Sequence, residues 1–337
     1  MIIPDITDVL TLIVLVFLTS FLLVYVVRKL AIKFDVVDRP DSRRVHSAVT
    51  PRGGGLAIIL VWYVSITLLF FEGFIDKKLY QALMTGFVLA AISLVDDILG
   101  VKPIYRLIVQ FVVVIAAFYL LGGIRKPVTF GIDVLSTPIL TYPLAIIGMV
   151  WFINLYNFMD GADGIASIQA IIVALTLFWF TGSLELLVLA AAVLGFLYWN
   201  WPKAKIFMGD VGSTQLGFIL VILGLHYYNT LDFSIFNWMM LTSPFWFDAT
   251  LTLYRRWRNG DKLTAHHNKF VFKRFVLAGY SHEQLDVALI LINAFIIILI
   301  SLFREWDFLK IPVYVFTLLF LYMLVRLVDR IYPFTKD

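Results

Sequence analysis

The chain contains no cysteine. That excludes disulfides, thiolate nucleophiles and cysteine-held zinc or iron–sulfur centres. Charge is scarce as well: Asp, Glu, Lys and Arg make up 15% of the 337 residues, where a soluble domain has about 25%. Strict alternation of apolar and polar residues is missing, which argues against a β-barrel. What remains is apolar. The hydrophobic set is 61% of the chain and mean hydropathy is +0.92. A soluble core cannot bury that much apolar surface, so the solvent is lipid. An ordinary cytosolic enzyme, a disordered chain and a nucleic-acid partner are excluded together.

The first apolar run, from Ile6 to Val27, is too long for a signal-peptide core and lacks a basic leader, so it reads as a retained helix. Eleven such runs follow the chain, at about 6–28, 54–71, 79–95, 104–121, 139–157, 164–181, 185–200, 213–228, 236–254, 285–303 and 310–328. The expected fold is an all-α polytopic integral membrane protein of about 11 transmembrane helices, one domain over 1–337. Of the 27 Lys and Arg, 21 fall on one side of these spans and six on the other. The positive-inside rule makes the richer side cytoplasmic, with the N-terminus outside and the C-terminus in the cytoplasm. The protein then belongs in the cell inner or plasma membrane. The longest outside loop, about 122–138, has the composition of a small hairpin that serves as structural cover.

Five polar clusters fall on the cytoplasmic side, in loops at about 31–53, 96–106, 154–164, 201–213 and 255–284. The first joins a basic run ending at His46 to Pro51-Arg52-Gly53-Gly54-Gly55. Glycine permits close backbone approach and a helix start offers free N–H groups, so this loop suits an anion, either a substrate phosphate or a lipid headgroup. The second places Asp96 and Asp97 side by side at a span end, near Lys102 and Arg106. Two adjacent carboxylates need a cation, a metal or a shared proton. The third sets Asn154, Asn157, Asp160 and Asp163 at three-residue intervals, costly near lipid. In the fourth, Asp210 lies between glycines just before a span, where it can ligate a hard cation or cap a helix, and Phe207 can stack on a base. The fifth is a strongly basic loop holding His266, His267 and Lys269. Asp248, within the ninth span, is either functional or a partner for Arg255 or Arg256. Carboxylates and cations converging on one membrane face suit a polyanionic nucleotide with Mg²⁺, and the bilayer offers a lipid as second substrate.

These strings, in this order, resemble the polyprenyl-phosphate N-acetylhexosamine-1-phosphate transferases of glycosyltransferase family 4. The matching segments are PRGGG at 51–55, the aspartate pair at 96–97, NLYNFMDGADG at 154–164, FMGDVGS at 207–213 and the histidine loop at 266–274. The resemblance implies transfer of a sugar-1-phosphate from a UDP-N-acetylhexosamine to undecaprenyl phosphate, with UMP leaving. It implies Mg²⁺, with Mn²⁺ as the alternative ion, ten or eleven helices around a cytoplasmic cleft, and a homodimer as an arrangement seen in the family. It assigns Asp96, Asp97, Asp160 and Asp163 to the catalytic centre and Asp210, with Asp97, to the metal. His46, Arg52, Lys102, Arg106, Asn154, Asn157, Phe207, His266, His267 and Lys269 fall to substrate binding. PRGGG and the missing triple histidine point to the branch that starts O-antigen, teichoic acid or related surface glycans. GlcNAc is the first expected sugar, then a deoxy-N-acetylhexosamine. The phospho-N-acetylmuramoyl-pentapeptide branch is the rival within the family. A transporter or flippase is the rival from another class, although no internal repeat supports it.

Overall fold

The computed structural model describes residues 5–39, 49–125, 138–231, 233–263, 265 and 267–335. His46, His266 and the anticipated hairpin near 128–135 lie outside them. Among the described residues the chain forms thirteen α-helices: α1 Ile6–Lys33, α2 Gly55–Phe71, α3 Lys77–Met84, α4 Gly86–Leu99, α5 Pro103–Leu120, α6 Pro138–Met159, α7 Ile165–Thr181, α8 Leu184–Asn200, α9 Asp210–Leu231, α10 Ile235–Arg258, α11 Val271–Leu277, α12 His282–Phe303 and α13 Lys310–Ile331. Ten of the eleven apolar runs each fall on one helix and the other on two, because a backbone in lipid must satisfy its own N–H and C=O groups. Seven stretches are long and apolar enough to cross a membrane, and α2, α7 and α8 are shorter apolar helices. The protein is an all-α, multi-pass membrane protein.

One expected span is interrupted. The run at 79–95 is two helices, with Thr85 between them. The Thr85 hydroxyl donates to the carbonyl of Ala82 at 2.7 Å. Gly86 is pressed against its neighbours: a Cβ there would lie 2.3 Å from the Tyr63 hydroxyl and 2.6 Å from the Phe218 ring. The Gln215 side-chain amide also donates to the Gly86 carbonyl. Side chains of α2 and α9 thus pack against the break, alongside Thr85 and Gly86 of the run itself.

Helix α9 is the central post, buried from Val211 through Gly224, and α2, α4, α6 and α7 surround it. Helix α1 lies outside, against α8 and α2. Small residues allow that close approach, as is usual for helices in lipid. The Ser20 hydroxyl donates to the Ala192 carbonyl at 2.6 Å, and a Cβ on Gly195 would meet the Phe17 carbonyl at 2.7 Å. The outer faces of α1, α12 and α13 remain apolar and exposed, with Leu10, Leu22, Leu291 and Leu319 among them. Those faces suit lipid.

The β structure is slight and local. Val37–Asp38 (β1) pairs antiparallel with Thr50–Pro51 (β2). It ties the end of α1 to the start of α2, on the same end of the bundle as the polar clusters.

Candidate active site

The chain strings PRGGG and FMGD are joined by their backbones. The Phe207 N–H donates to the Pro51 carbonyl at 2.8 Å, Gly54 N–H to Phe207 O at 2.9 Å, and Gly55 N–H to Met208 O at 2.9 Å. Arg52 and Phe207 form a parallel bridge. A Cβ on Gly55 would lie 2.3 Å from the Gly212 Cα, so two backbones touch where both residues are glycine. This limits the anion-site reading of the loop to its other groups, Arg52 among them. Its N–H groups at 54 and 55 are already paired, and the glycines serve close packing.

Asp97 completes that junction. It sits on the last turn of α4, and its two carboxylate oxygens accept the N–H of Asp210 at 3.1 Å and of Val211 at 3.0 Å. An anion at a helix N-terminus is favoured by the unpaired N–H groups and the helix dipole. Asp97 thus aims the start of α9, and each of its oxygens keeps a further lone pair. Arg52 donates to the Asp97 backbone carbonyl. Asp96 points elsewhere. Its carboxylate takes the Val101 N–H at 2.6 Å and an ion pair from Arg106. Arg106 also reaches Asp210 at 2.7 Å. The aspartate pair therefore divides: Asp97 holds the helix start, and Asp96 anchors the arginine that faces Asp210.

The third cluster enters from α6. The Asn157 amide donates to the Thr214 hydroxyl at 3.0 Å. Asp160 lies one turn on, enclosed by protein yet open to the cavity. Its carboxyl is pushed up to about 8, first by burial and then by the negative charges of Asp210 and Asp97, while a hydrogen bond from Ser213 pulls it down. Asp163 is fixed twice: its carboxylate accepts the Ala204 N–H at 3.1 Å, and its own N–H donates to His282 Nδ1 at 3.1 Å. An acceptor Nδ1 places the ring proton of His282 on Nε2. The next N–H, of Gly164, donates to the Asn200 side chain at 3.0 Å.

These groups line one cavity of about 280 Å³, with Asp97, Asp160, Asp163, Asp210, Arg52, Asn157 and Phe207 on its walls. Asp96 and Arg106 stand directly behind Asp210. Other candidate residues stay outside. Asn154 pairs with Gln110 at 2.6 Å and with the Val150 carbonyl at 2.8 Å, satisfying polar groups between α5 and α6. Lys102 is exposed before the first turn of α5. Lys269 is bound to Asp261 at 2.8 Å. His267 Nδ1 accepts the Lys269 N–H at 3.1 Å. Burial, then the cations Arg256, Lys273 and Lys269, press the His267 ring down to about 3, so it is neutral at ordinary pH.

The cavity also takes in Asp38, Asn200, Lys273 and His282, which sequence patterning did not single out. Asp38 and Lys273 sat inside strings already noted for their charge. Asn200 and His282 end or begin apolar runs, and only their position across from Asp163 distinguishes them. Asp248 has a different task from either expected one. Its carboxylate accepts the Val271 N–H at 3.0 Å and the Thr252 hydroxyl at 3.1 Å, which seats the start of α11. A larger cavity, about 450 Å³, lies between α6, α9 and α10 and is lined mainly by apolar and aromatic side chains such as Trp151, Phe152, Trp238 and Trp246. It offers no charged group for chemistry.

The residues suit a hard divalent cation. Among the described residues no three acidic or histidine side chains form a ready cage. Asp97, Asp160 and Asp210 nonetheless face one cavity. Mg²⁺ is usually held by one or two carboxylates together with substrate phosphates and water, which is what this wall provides.

The sequence profile of glycosyl transferase family 4 matches residues 79–228. The decaprenyl-phosphate N-acetylglucosaminephosphotransferase of Mycobacterium tuberculosis (strain ATCC 25618 / H37Rv) is 31% identical over 324 residues, covering 80% of this chain and 77% of its own. The chain belongs to glycosyl transferase family 4. The probable undecaprenyl-phosphate N-acetylglucosaminyl 1-phosphate transferase of Bacillus subtilis (strain 168) is 28% identical over 345 residues, covering 95% of this chain and 93% of the relative. The undecaprenyl-phosphate alpha-N-acetylglucosaminyl 1-phosphate transferase of Salmonella typhimurium is 28% identical over 325 residues, 91% of this chain and 86% of the relative. These family 4 relatives are sugar-phosphate transferases acting on polyprenyl phosphates. The family profile spans α3 to α9, so it contains the aspartate pair, the third cluster and the start of α9.

Proposed function

We propose that this chain transfers a sugar-1-phosphate from a UDP-N-acetylhexosamine, GlcNAc or a deoxy relative, to undecaprenyl phosphate. An acceptor phosphate oxygen attacks the sugar-bearing phosphorus. The bridging P–O bond breaks, its electron pair leaves with UMP, and the lipid-linked sugar diphosphate remains. The product would start a surface glycan such as O-antigen or teichoic acid. The observation that carries the reading is the single cavity in which Asp97, Asp160, Asp163 and Asp210 meet Arg52, Asn157, Phe207 and Lys273.

The parts divide by chemistry. Asp160, Asp210 and Asp97 would hold Mg²⁺. The ion would supply neutralising charge for the diphosphate and the departing UMP. Arg106 fixes Asp210 from behind, and Asp97 fixes the backbone beneath it, so the carboxylates are placed before substrate arrives. Arg52 and Lys273 oppose phosphate charge, and Phe207 offers its ring to the uracil. His282, proton on Nε2, can donate one hydrogen bond. Two bound anions held in line supply much of the remaining rate. The eleven-span arrangement expected from the sequence, N-terminus outside and C-terminus inside, would put this cavity at the cytoplasmic surface, on the side of a nucleotide sugar. The test is UMP release from purified protein with undecaprenyl phosphate, Mg²⁺ and a panel of UDP-N-acetylhexosamines. Release that requires both lipid and Mg²⁺ is expected. Release without the lipid, or none with any donor from folded protein, would overturn the assignment.

A further inference from the structure

The basic loop on one side of the cavity has a problem of its own charge. Arg255, Arg256, Arg258, Lys262, Lys269, Lys273 and Arg274 fall within twenty residues, against one acid, Asp261. Like charges this close repel, and the fold must offset them. Part is solved within the loop. Arg256 donates to the carbonyls of Leu263 and Ala265, each at 3.1 Å, and Lys269 pairs with Asp261.

A second part comes from the segment at the end of α13 and after it. Asp329, on the last turns of α13, accepts Arg274 at 2.7 Å and Arg255 at 3.0 Å. Arg274 also donates to the Tyr332 carbonyl at 2.9 Å. The Phe334 ring then lies under three cations: Arg255 at 4.0 Å, Lys269 at 5.3 Å and Arg274 at 5.5 Å from its centroid. Arg274 is 1% exposed as a side chain and Phe334 is 5% exposed, so these contacts are shielded from water and strengthened by that. None of Asp329, Tyr332 or Phe334 lines the cavity.

Arg274 is the neighbour of Lys273, which does line it. It is two residues from Phe272, whose ring crowds the Gly161 position at 2.8 Å. Helix α11 is thus fixed at its first N–H by Asp248 and at its middle, at Arg274, by the segment after α13. Between those points lie the two side chains that meet the Asp160–Gly161 turn.

We propose that the segment after α13, through Phe334 together with Asp329, is a clamp whose positioning residues hold the 255–274 loop in register for the nucleotide-sugar donor. The donor half of this rests on the transferase reading above. The loop-holding half does not. The experiment compares the full-length protein with Phe334→Ala and Phe334→Trp. Amide hydrogen exchange over 262–275, measured without substrate, should quicken about tenfold in Phe334→Ala, the scale of one or two shielded cation–π contacts. It should return to wild type in Phe334→Trp, with α2 to α9 unchanged throughout. In turnover, Phe334→Ala should raise the donor KM about five- to tenfold, leaving acceptor KM and kcat within about twofold, and Phe334→Trp should restore it. Unchanged exchange in Phe334→Ala overturns the clamp. Faster exchange with an unchanged donor KM overturns its role in donor recognition. A wild-type protein silent toward every donor sinks the transferase reading instead, and exchange alone then decides whether the tail holds the loop.

Discussion

The two walls of the cavity are built by different means. One wall, from residues 50–55, the end of α4 and the start of α9, is joined by backbone hydrogen bonds and by glycines in contact. Its carboxylate Asp97 is bonded to N–H groups of the chain it orients. The opposite wall, from residues 255–274, is held by side chains: ion pairs to Asp329, a ring under three cations, one carboxylate at the start of α11. Backbone junctions resist displacement and tolerate little substitution. Side-chain clamps depend on long, flexible groups and can be retuned residue by residue. A site that keeps its chemistry on the first wall and meets a variable sugar with the second can change donor without rebuilding its catalytic centre.

The largest test of that contrast is Asp210→Asn. It leaves the backbone junction intact and removes one charge from the cavity. UMP release should fall about 10²- to 10³-fold, the loss usual for one preorganised electrostatic group, while the melting temperature in detergent stays within a few degrees. Near wild-type turnover would move the centre away from α9.

Gly55→Ala attacks the junction itself. Its Cβ has the Gly212 Cα at 2.3 Å and the Gly212 N at 2.7 Å, and backbone cannot swing aside. A loss of about 1–3 kcal/mol is expected, as for overpacking in a close-packed core, read from denaturant or thermal unfolding. A neutral result would show that the two segments slide, and the first wall would then be no stiffer than the second.

The charge between the two walls, at the turn after α6, should show in pH dependence. Asp160 titrates at about 8 instead of 3.8. Between those values the folded chain keeps a proton that the unfolded chain has released. Stability of the cation-free protein therefore falls as pH rises through that window, because the folded state binds more protons. Mg²⁺ should flatten the slope by favouring the ionised carboxylate. Melting curves with a chelator and with Mg²⁺, from about pH 5 to pH 8, measure both. Identical slopes would remove Asp160 from any cation site.

The two walls also differ in how far the sequence revealed them. Helices were legible because apolar runs of spanning length have few other fates in lipid, and the helix at each of the eleven runs follows from that. The split at Thr85 was not, since Tyr63, Phe218 and Gln215 meet it from other helices. Asp97, Asp160 and Asp210 stood out as carboxylates at span ends. That Asp97 caps α9, or that Phe207 pairs with Arg52, depends on residues more than a hundred positions apart. On the second wall Asp248 was visible as an anomaly, but its partner is an N–H 23 residues later. Lys273 and Lys269 look alike in sequence. Lys273 rides on α11 and lines the cavity, whereas Lys269 lies in the loop before that helix and pairs with Asp261.

Placement on or off the cavity wall gives the smallest and most discriminating pair of variants. Lys273→Ala should raise the donor KM about tenfold, the scale of one charge-assisted hydrogen bond, with kcat little changed. Lys102→Ala removes an equal charge from an exposed position before α5 and should leave both KM values within about twofold, as expected for a solvated surface charge. The two lysines carry the same charge and differ in whether the cavity wall holds them. A Lys102 effect as large as that of Lys273 would mean that the cations act through the field of the whole face, and the distinction between the walls would then rest on the carboxylates alone.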